Sequence, residues 1–273
     1  MIRISHTRAG CWRSCRRKYY WSYVRGLRSP ATSPAMELGR VGHLVLQSYY
    51  LNMNEEKAME VLEDPKNEID EATYEHAYEL LPRYFDACRS LDNFKVMATE
   101  KWFDLPLGGE RGHRLIGIVD GLLQRNDGSM WLLEHKFSGR ISTKHLDIDP
   151  QTSIYVLAAK SLEWDVKGVL FNIIRTGTGP TAKREPIVRA YAYRPPSSTN
   201  LMSEELLQQA REMQRFEDIE DPASQQRVAY RNPGQSCNWC PFYRVCLEYQ
   251  DGGDVETMLQ NGFIHRKERE AGK

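Results

Sequence analysis

The stretch GIVDGLLQRNDGSMWLLEHK, residues 117–136, decides the fold. Strand-forming runs at 114–125 and 129–137 flank Asn126-Asp127-Gly128. Three-residue hairpin loops join a type I turn to a left-handed residue, usually glycine, in last place. With Gly128 in that place, Arg125 pairs with Ser129, and counting back along the ladder sets Asp120 opposite Glu134. Cross-strand partners share a face, and Lys136 shares it with Glu134 because strand side chains alternate. Leu115, Ile116, Ile118, Val119, Trp131, Leu132 and Leu133 make these strands apolar and buried. Like charges opposed there need something to neutralise them. A divalent cation does so, and hard oxygen ligands select Mg²⁺ or Mn²⁺. Lys136 is then placed to orient an attacking water or to offset charge in a transition state. The plainer alternative makes Asp120 a solvated strand residue and Glu134–Lys136 a surface ion pair.

Outward from the hairpin, 94–106 reads as a preceding strand, with Glu100 a possible accessory acid, and 166–175 and 186–193 as later strands. Helical periodicity marks 5–24, with Ser5 or Thr7 as N-cap, and 36–53, striped by Leu38, Val41, Val45 and Tyr49. It continues through 54–92, where Pro82 should kink or divide the helix. Further helices follow at 150–162, capped by Asp149, and at 203–217. The expected fold is α/β, with a central mixed sheet flanked by helices. It forms one domain over 1–273, with a helical insertion at about 52–92 and a tail from Asp251, poorly ordered at its end.

The 273 residues carry 37 basic and 37 acidic side chains, which argues against an indiscriminate polyanion binder. Positive charge is nevertheless concentrated in the first 28 residues (Arg3, Arg8, Arg13, Arg16, Arg17, Lys18, Arg25, Arg28), with no acid among them. The run Arg16, Arg17, Lys18, Tyr19, Tyr20, Trp21, Tyr23 offers phosphate contacts and stacking rings. Lys183 and Arg184, in the loop TGTGPTAKR, offer a second strip. No stretch approaches the roughly 20 apolar residues of a membrane helix, and no secretory signal opens the chain. An intracellular protein is expected. No G-x-x-x-x-G-K-[ST] loop is present, so no nucleotide-driven motor is implied.

Of six cysteines, Cys237, Cys240 and Cys246 form Cys-x2-Cys-x5-Cys, while Cys11 and Cys15 lie near the start. Such clustering without a secretion signal favours metal ligation over disulfides. Spacing alone does not choose between zinc and an iron–sulfur cluster. Cys88 reads as a buried small hydrophobe.

Gly117-Ile118-Val119-Asp120 followed by Glu134-His135-Lys136 resembles the core of PD-(D/E)xK nucleases in their RecB-like branch. Gly39-Arg40-Val41-Gly42-His43 is similar to that branch's G-x-x-x-H motif, and Gln151 through Tyr155 to its Q-x-x-x-Y motif. Val119 stands where the name-giving proline would be. The resemblance implies a restriction-endonuclease-like core and metal-dependent hydrolysis of DNA phosphodiesters by an exonuclease. His43, Asp120, Glu134 and the carbonyl of His135 would hold the metal, with Lys136 assisting the water and Gln151 and Tyr155 positioning DNA or the lysine. Glycines 39 and 42 would allow close backbone approach. In the RecB-like and CRISPR-associated exonucleases, one early cysteine before a basic-aromatic stretch joins three late ones around a 4Fe–4S cluster. That likeness selects Cys15 with Cys237, Cys240 and Cys246, joining 1–28 to 232–250; Cys11 could replace Cys15, and structural zinc is the alternative metal. DNA, single-stranded or at ends, is the implied partner in recombination, repair or replication, with a helicase or recombinase on another chain. The rival functions are a non-catalytic DNA-binding or scaffolding relative and an iron–sulfur redox protein.

Overall fold

The computed structural model describes residues 1–109, 112–177 and 185–266; Lys183 and Arg184 lie outside them. Among the described residues, eight strands run β1 Arg3–Ile4, β2 Leu27–Arg28, β3 Phe94–Leu107, β4 His113–Arg125, β5 Met130–Ser138, β6 Val166–Arg175, β7 Ile187–Tyr193 and β8 Ile264–His265. The α-helices are α1 His6–Ser14, α2 Arg16–Tyr19, α3 Pro34–Asn52, α4 Glu55–Met59, α5 Glu71–Arg89 and α6 Pro150–Ser161. They continue with α7 Pro196–Glu217, α8 Pro222–Val228, α9 Tyr243–Asp251 and α10 Val255–Gly262. The chain divides into two compact units: Met1–Thr32 with Asp104–Ile116 and Glu204–Lys273, and Ser33–Phe103 with Gly117–Ser203.

The second unit holds most of the sheet. β4 pairs antiparallel with β5, β5 parallel with β6, and β6 antiparallel with β7, while β3 also pairs with β4. This is the mixed sheet flanked by helices expected of a restriction-endonuclease-like core. The turn behaves as read: Arg125 N–H donates to the Ser129 carbonyl at 2.9 Å, and Gly128 has φ +81°. Ser33 caps α3 and Pro34 opens it, so the helix starts cleanly. Its buried stripe of Leu38, Val41, Val45, Leu46 and Tyr49 shares one apolar cluster with Leu80, Leu81, Tyr84 and Phe85 of α5 and Leu133 and Leu170 of the sheet. The segment 52–92 is thus part of the core packing. Contrary to expectation, α5 runs unbroken through Pro82. Pro82 is exposed, so the carbonyl that loses its helical partner can bond to water.

In the first unit, β1 pairs parallel with the start of β4, Arg3 beside Arg114 and Ile4 beside Leu115. The single helix expected over 5–24 is instead broken at Cys15, where the backbone is extended (φ −165°, ψ 119°). A π-helical turn, Tyr20–Val24, follows α2. The C-terminal segment takes up the bonds the break releases. Asn232 Nδ2 donates to the Ser14 carbonyl at 2.9 Å, and Arg17 N–H to the Tyr230 carbonyl at 3.0 Å. Helix α7 begins at Pro196 rather than at 203. Within the tail from Asp251, Asp254 caps α10 and β8 pairs antiparallel with β2, while the end expected to be poorly ordered lies outside the described residues. Among the described residues, no helix is long and apolar enough to cross a membrane.

The basic N-terminal run is built into this unit. Arg3 pairs with Asp104, Arg8 with Glu217 and Arg25 with Glu256, which offsets much of the positive charge counted in the sequence. Tyr19, Tyr20, Trp21 and Arg17 are buried. Tyr19 makes hydrogen bonds to Arg8 and Glu217. These rings are core, which removes them as a stacking platform for nucleic acid.

Candidate active site and cysteine cavity

The β4–β5 ladder runs from Gln124–Met130 to Gly121–Leu133 and follows the count made from the turn. Asp120 and Glu134 are the next residues on each strand, just past the last paired couple. Asp120 uses its position to accept a hydrogen bond, Oδ2 taking the His135 N–H at 2.7 Å. His43 Nδ1 lies 3.4 Å from the same oxygen. With Glu100 they form a group whose ligand atoms all lie within 4.8 Å of one another. Glu100 sits at φ +46°, an unusual conformation for a non-glycine residue and a local irregularity of β3.

Helix α3 delivers His43. A Cβ on Gly42 would lie 2.0 Å from Phe137 Cζ, so glycine is what lets the helix rest on that ring of β5. Gly39 has nothing within 4 Å of its would-be Cβ, so the close approach expected at both glycines occurs at one. Phe137 and the pair Glu134 and Lys136 alternate along β5 and point to opposite faces.

On the Glu134 face, α6 brings Gln151 and Tyr155. Lys136 Nζ donates to Glu134 Oε1 at 2.6 Å and to Gln151 Oε1 at 2.5 Å. Gln151 Nε2 in turn donates to Glu134 Oε1 at 2.9 Å and to the Tyr155 hydroxyl at 2.8 Å. Arg194, which no sequence signal marked, anchors this helix. Its guanidinium donates to Ser153 Oγ at 2.8 Å and to the carbonyls of Leu146 and Asp149 at 2.8 and 3.1 Å. Glu134 is 3% exposed, and its Oε2 is buried with no hydrogen-bond partner among the described residues. An orphaned buried carboxylate oxygen beside a histidine–carboxylate group suits a hard cation.

The electrostatics carry the same strain. Burial and the nearby Asp120 charge push the Glu134 carboxyl up to about 7, against the pull of Lys136. Glu100 rises to about 7 for the same two reasons. Burial opposes charge on His43, but its bond to Asp120 and the charges of Asp120, Glu134 and Glu100 outweigh it and raise His43 to about 9. Asp120, despite burial, is held low by His43 and His135. Burial drops His135 to about 3, and its ring stacks on Tyr50 at 5.4 Å.

The first unit gathers the other predicted ligands. Cys15, Cys237, Cys240 and Cys246 all line one cavity of about 220 Å³, together with Arg17, Lys18 and Trp21. Cys15 reaches it from the break between α1 and α2, Cys237 from a 3₁₀ turn, Gln235–Trp239, and Cys246 from α9. Cys11 is not in the lining; it is buried, and burial raises its thiol to about 11. Cys88 is fully buried, as expected.

A model of the PD-(D/E)XK nuclease superfamily matches residues 3–247. Among solved structures, a protein from Eubacterium rectale described as a candidate exonuclease is 12% identical. It covers 87% of this chain and 86% of its own, with a TM-score of 0.49. Another, SSO0001, is 14% identical over 85% of this chain and 91% of its own, with a TM-score of 0.37. No curated protein matches significantly.

Proposed function

The chain belongs to the PD-(D/E)XK nuclease superfamily, and from that premise we propose that it is a metal-dependent deoxyribonuclease of the RecB-like branch. Its substrate would be single-stranded DNA or DNA ends, cut as an exonuclease in recombination, repair or replication, with a helicase or recombinase as partner.

One observation carries this reading: His43, Glu100 and Asp120 converge within 4.8 Å while Glu134 keeps an unpartnered oxygen beside Lys136. His43, Asp120, Glu134 and the His135 carbonyl are the proposed ligands, with Glu100 as a further acid. Mg²⁺ or Mn²⁺ bound there supplies a Lewis acid for the phosphate and a more acidic water. Lys136 has three N–H groups, of which Glu134 and Gln151 take two. The third is free to hold the attacking water or a phosphate oxygen. Gln151, bonded to Lys136, Glu134 and Tyr155, fixes where that ammonium points. The test is cleavage of end-labelled single- and double-stranded DNA with Mn²⁺ by wild type and Lys136→Ala. Wild-type cleavage that the substitution abolishes is expected. Wild type inert with every divalent metal would instead favour the non-catalytic scaffold.

Cys15, Cys237, Cys240 and Cys246 belong to the same proposal as ligands of a 4Fe–4S cluster, with structural zinc as the alternative. The donor set fits: four soft sulfur ligands line one cavity. Hydrolysis needs no electron transfer, so the cluster's role is to tie 1–28 to 232–250. Iron, acid-labile sulfide and zinc analysis with a visible spectrum decides between the metals.

A further inference from the structure

Arg17 stands apart from the other arginines of its unit. It is 2% exposed, and its Nε and Nη1 are buried with no hydrogen-bond partner among the described residues. Arg3, Arg8 and Arg25 each meet a carboxylate. Arg17 has instead the face of Tyr249, 4.0 Å from the guanidinium carbon to the ring centroid, and Trp21 at 5.7 Å. Rings can attract a cation but supply no counter-charge. An arginine stays protonated in proteins, so burial cannot be relieved by losing the proton. Its position is also fixed, since its backbone N–H is bonded to Tyr230.

The cavity that Arg17 lines holds Cys15, Cys237, Cys240 and Cys246, with Lys18 and Arg231 the other cations among its described lining residues, and of these Arg231 is bonded to Gln250. Four thiolates outweigh the two positive charges of Zn²⁺ or of an oxidised 4Fe–4S core, so either centre is anionic. We propose that Arg17 is the built-in counter-charge of this tetrathiolate centre, governing how firmly the metal is retained and, for iron–sulfur, its reduction potential. This rests on the metal-centre reading of the cysteines given above. Net charge and contacts to the ligand sulfurs set the potential and affinity of such centres, which is the lever Arg17 would exert. A guanidinium without a partner in the metal-free chain is then explained: its partner arrives with the metal.

The experiment uses the full chain purified anaerobically, as wild type, Arg17→Met and Arg17→Lys, with iron, sulfide and zinc measured in each. Arg17→Met should lose metal to a chelator at least about tenfold faster. If iron is present, its midpoint potential should fall by about 59 mV or more, a tenfold change in the one-electron equilibrium. Arg17→Lys, which keeps the charge, should stay near wild type. The metal-free Arg17→Met chain should melt no lower than metal-free wild type, because an unpaired buried cation has been removed. The proposal is overturned if Arg17→Met retains metal and potential unchanged, or if Arg17→Lys behaves like Arg17→Met. It also falls if metal-free and loaded Arg17→Met chains are destabilised alike, the mark of a packing role. Wild type without iron, sulfide or zinc would sink the metal-centre reading itself, which separates the two failures.

Discussion

The carboxylate site draws its residues from 43–155, most of them on one hairpin and the helix after it, whereas the cysteine cavity takes Cys15 from one end of the chain and Cys237, Cys240 and Cys246 from the other. At the first, the protein's own polar atoms bond to one another: Lys136, Gln151, Tyr155 and Glu134 Oε1 are linked, while Glu134 Oε2 and His135 Nδ1 are buried with no hydrogen-bond partner among the described residues. At the second, Nε and Nη1 of Arg17 bond to nothing and four half-buried thiols line a hollow. One site is organised by bonds among its own side chains. In the other, on the proposed reading of the cysteines, the organising bonds would be those to a metal.

The largest effect should come at the organised site. Asp120→Asn keeps an acceptor for the His135 N–H but removes the charge that the metal and His43 need. Cleavage should fall about a thousandfold, with some loss of melting temperature, because His43 and His135 hold the Asp120 carboxyl low and so favour its charge in the folded chain. The spectrum of the cysteine centre should not change. Unaltered cleavage rates would dissociate Asp120 from the chemistry.

At the cysteine cavity the balance reverses. If the proposed iron–sulfur centre is present, Cys240→Ala should bleach the protein and make 204–266 the first segment opened by limited proteolysis, while residues 33–103 stay resistant. A colourless Cys240→Ala chain as stable and active as wild type would remove the structural role from the centre.

A pH experiment then distinguishes ligands that wait as ions from ligands that wait protonated. With His43 raised to about 9 and Glu100 and Glu134 to about 7, the metal-free site holds protons at neutral pH. A metal must displace them, so affinity should climb as pH rises from below 7 toward 9. Calorimetry at pH 7 in two buffers of different ionisation enthalpy should report release of about one proton or more. Binding with no proton release would mean that these groups are not the ligands.

The same contrast governs how much could be read in advance. The hairpin was legible because Gly128 fixes the register and strand alternation fixes the faces, both local rules. The end of the paired ladder at Gly121–Leu133, next to which Asp120 Oδ2 accepts the His135 N–H, has no such local signal. Likewise the helix at 5–24 has unbroken periodicity, and its break at Cys15 is stabilised by Asn232 and Tyr230, more than 200 residues away. Arg17 and Tyr19 read as DNA contacts because their burial is decided by α7, α9 and the C-terminal segment, which periodicity does not reveal.

Helix α3 allows the finest comparison, since two glycines three residues apart read alike in sequence and differ in surroundings. Gly42→Ala would drive a methyl to 2.0 Å from Phe137 Cζ, so α3 or the ring must move. The expected cost is about 1–3 kcal/mol, seen as a lower urea midpoint, with weaker Mn²⁺ binding because His43 is the next residue. Gly39→Ala meets nothing within 4 Å and should gain up to about 1 kcal/mol from helix propensity alone. Opposite signs from the same chemical change would show that one glycine sets the distance between helix and strand while the other only loosens the helix. Equal, benign effects would mean that Phe137 yields easily, and that the placing of His43 is set elsewhere on α3.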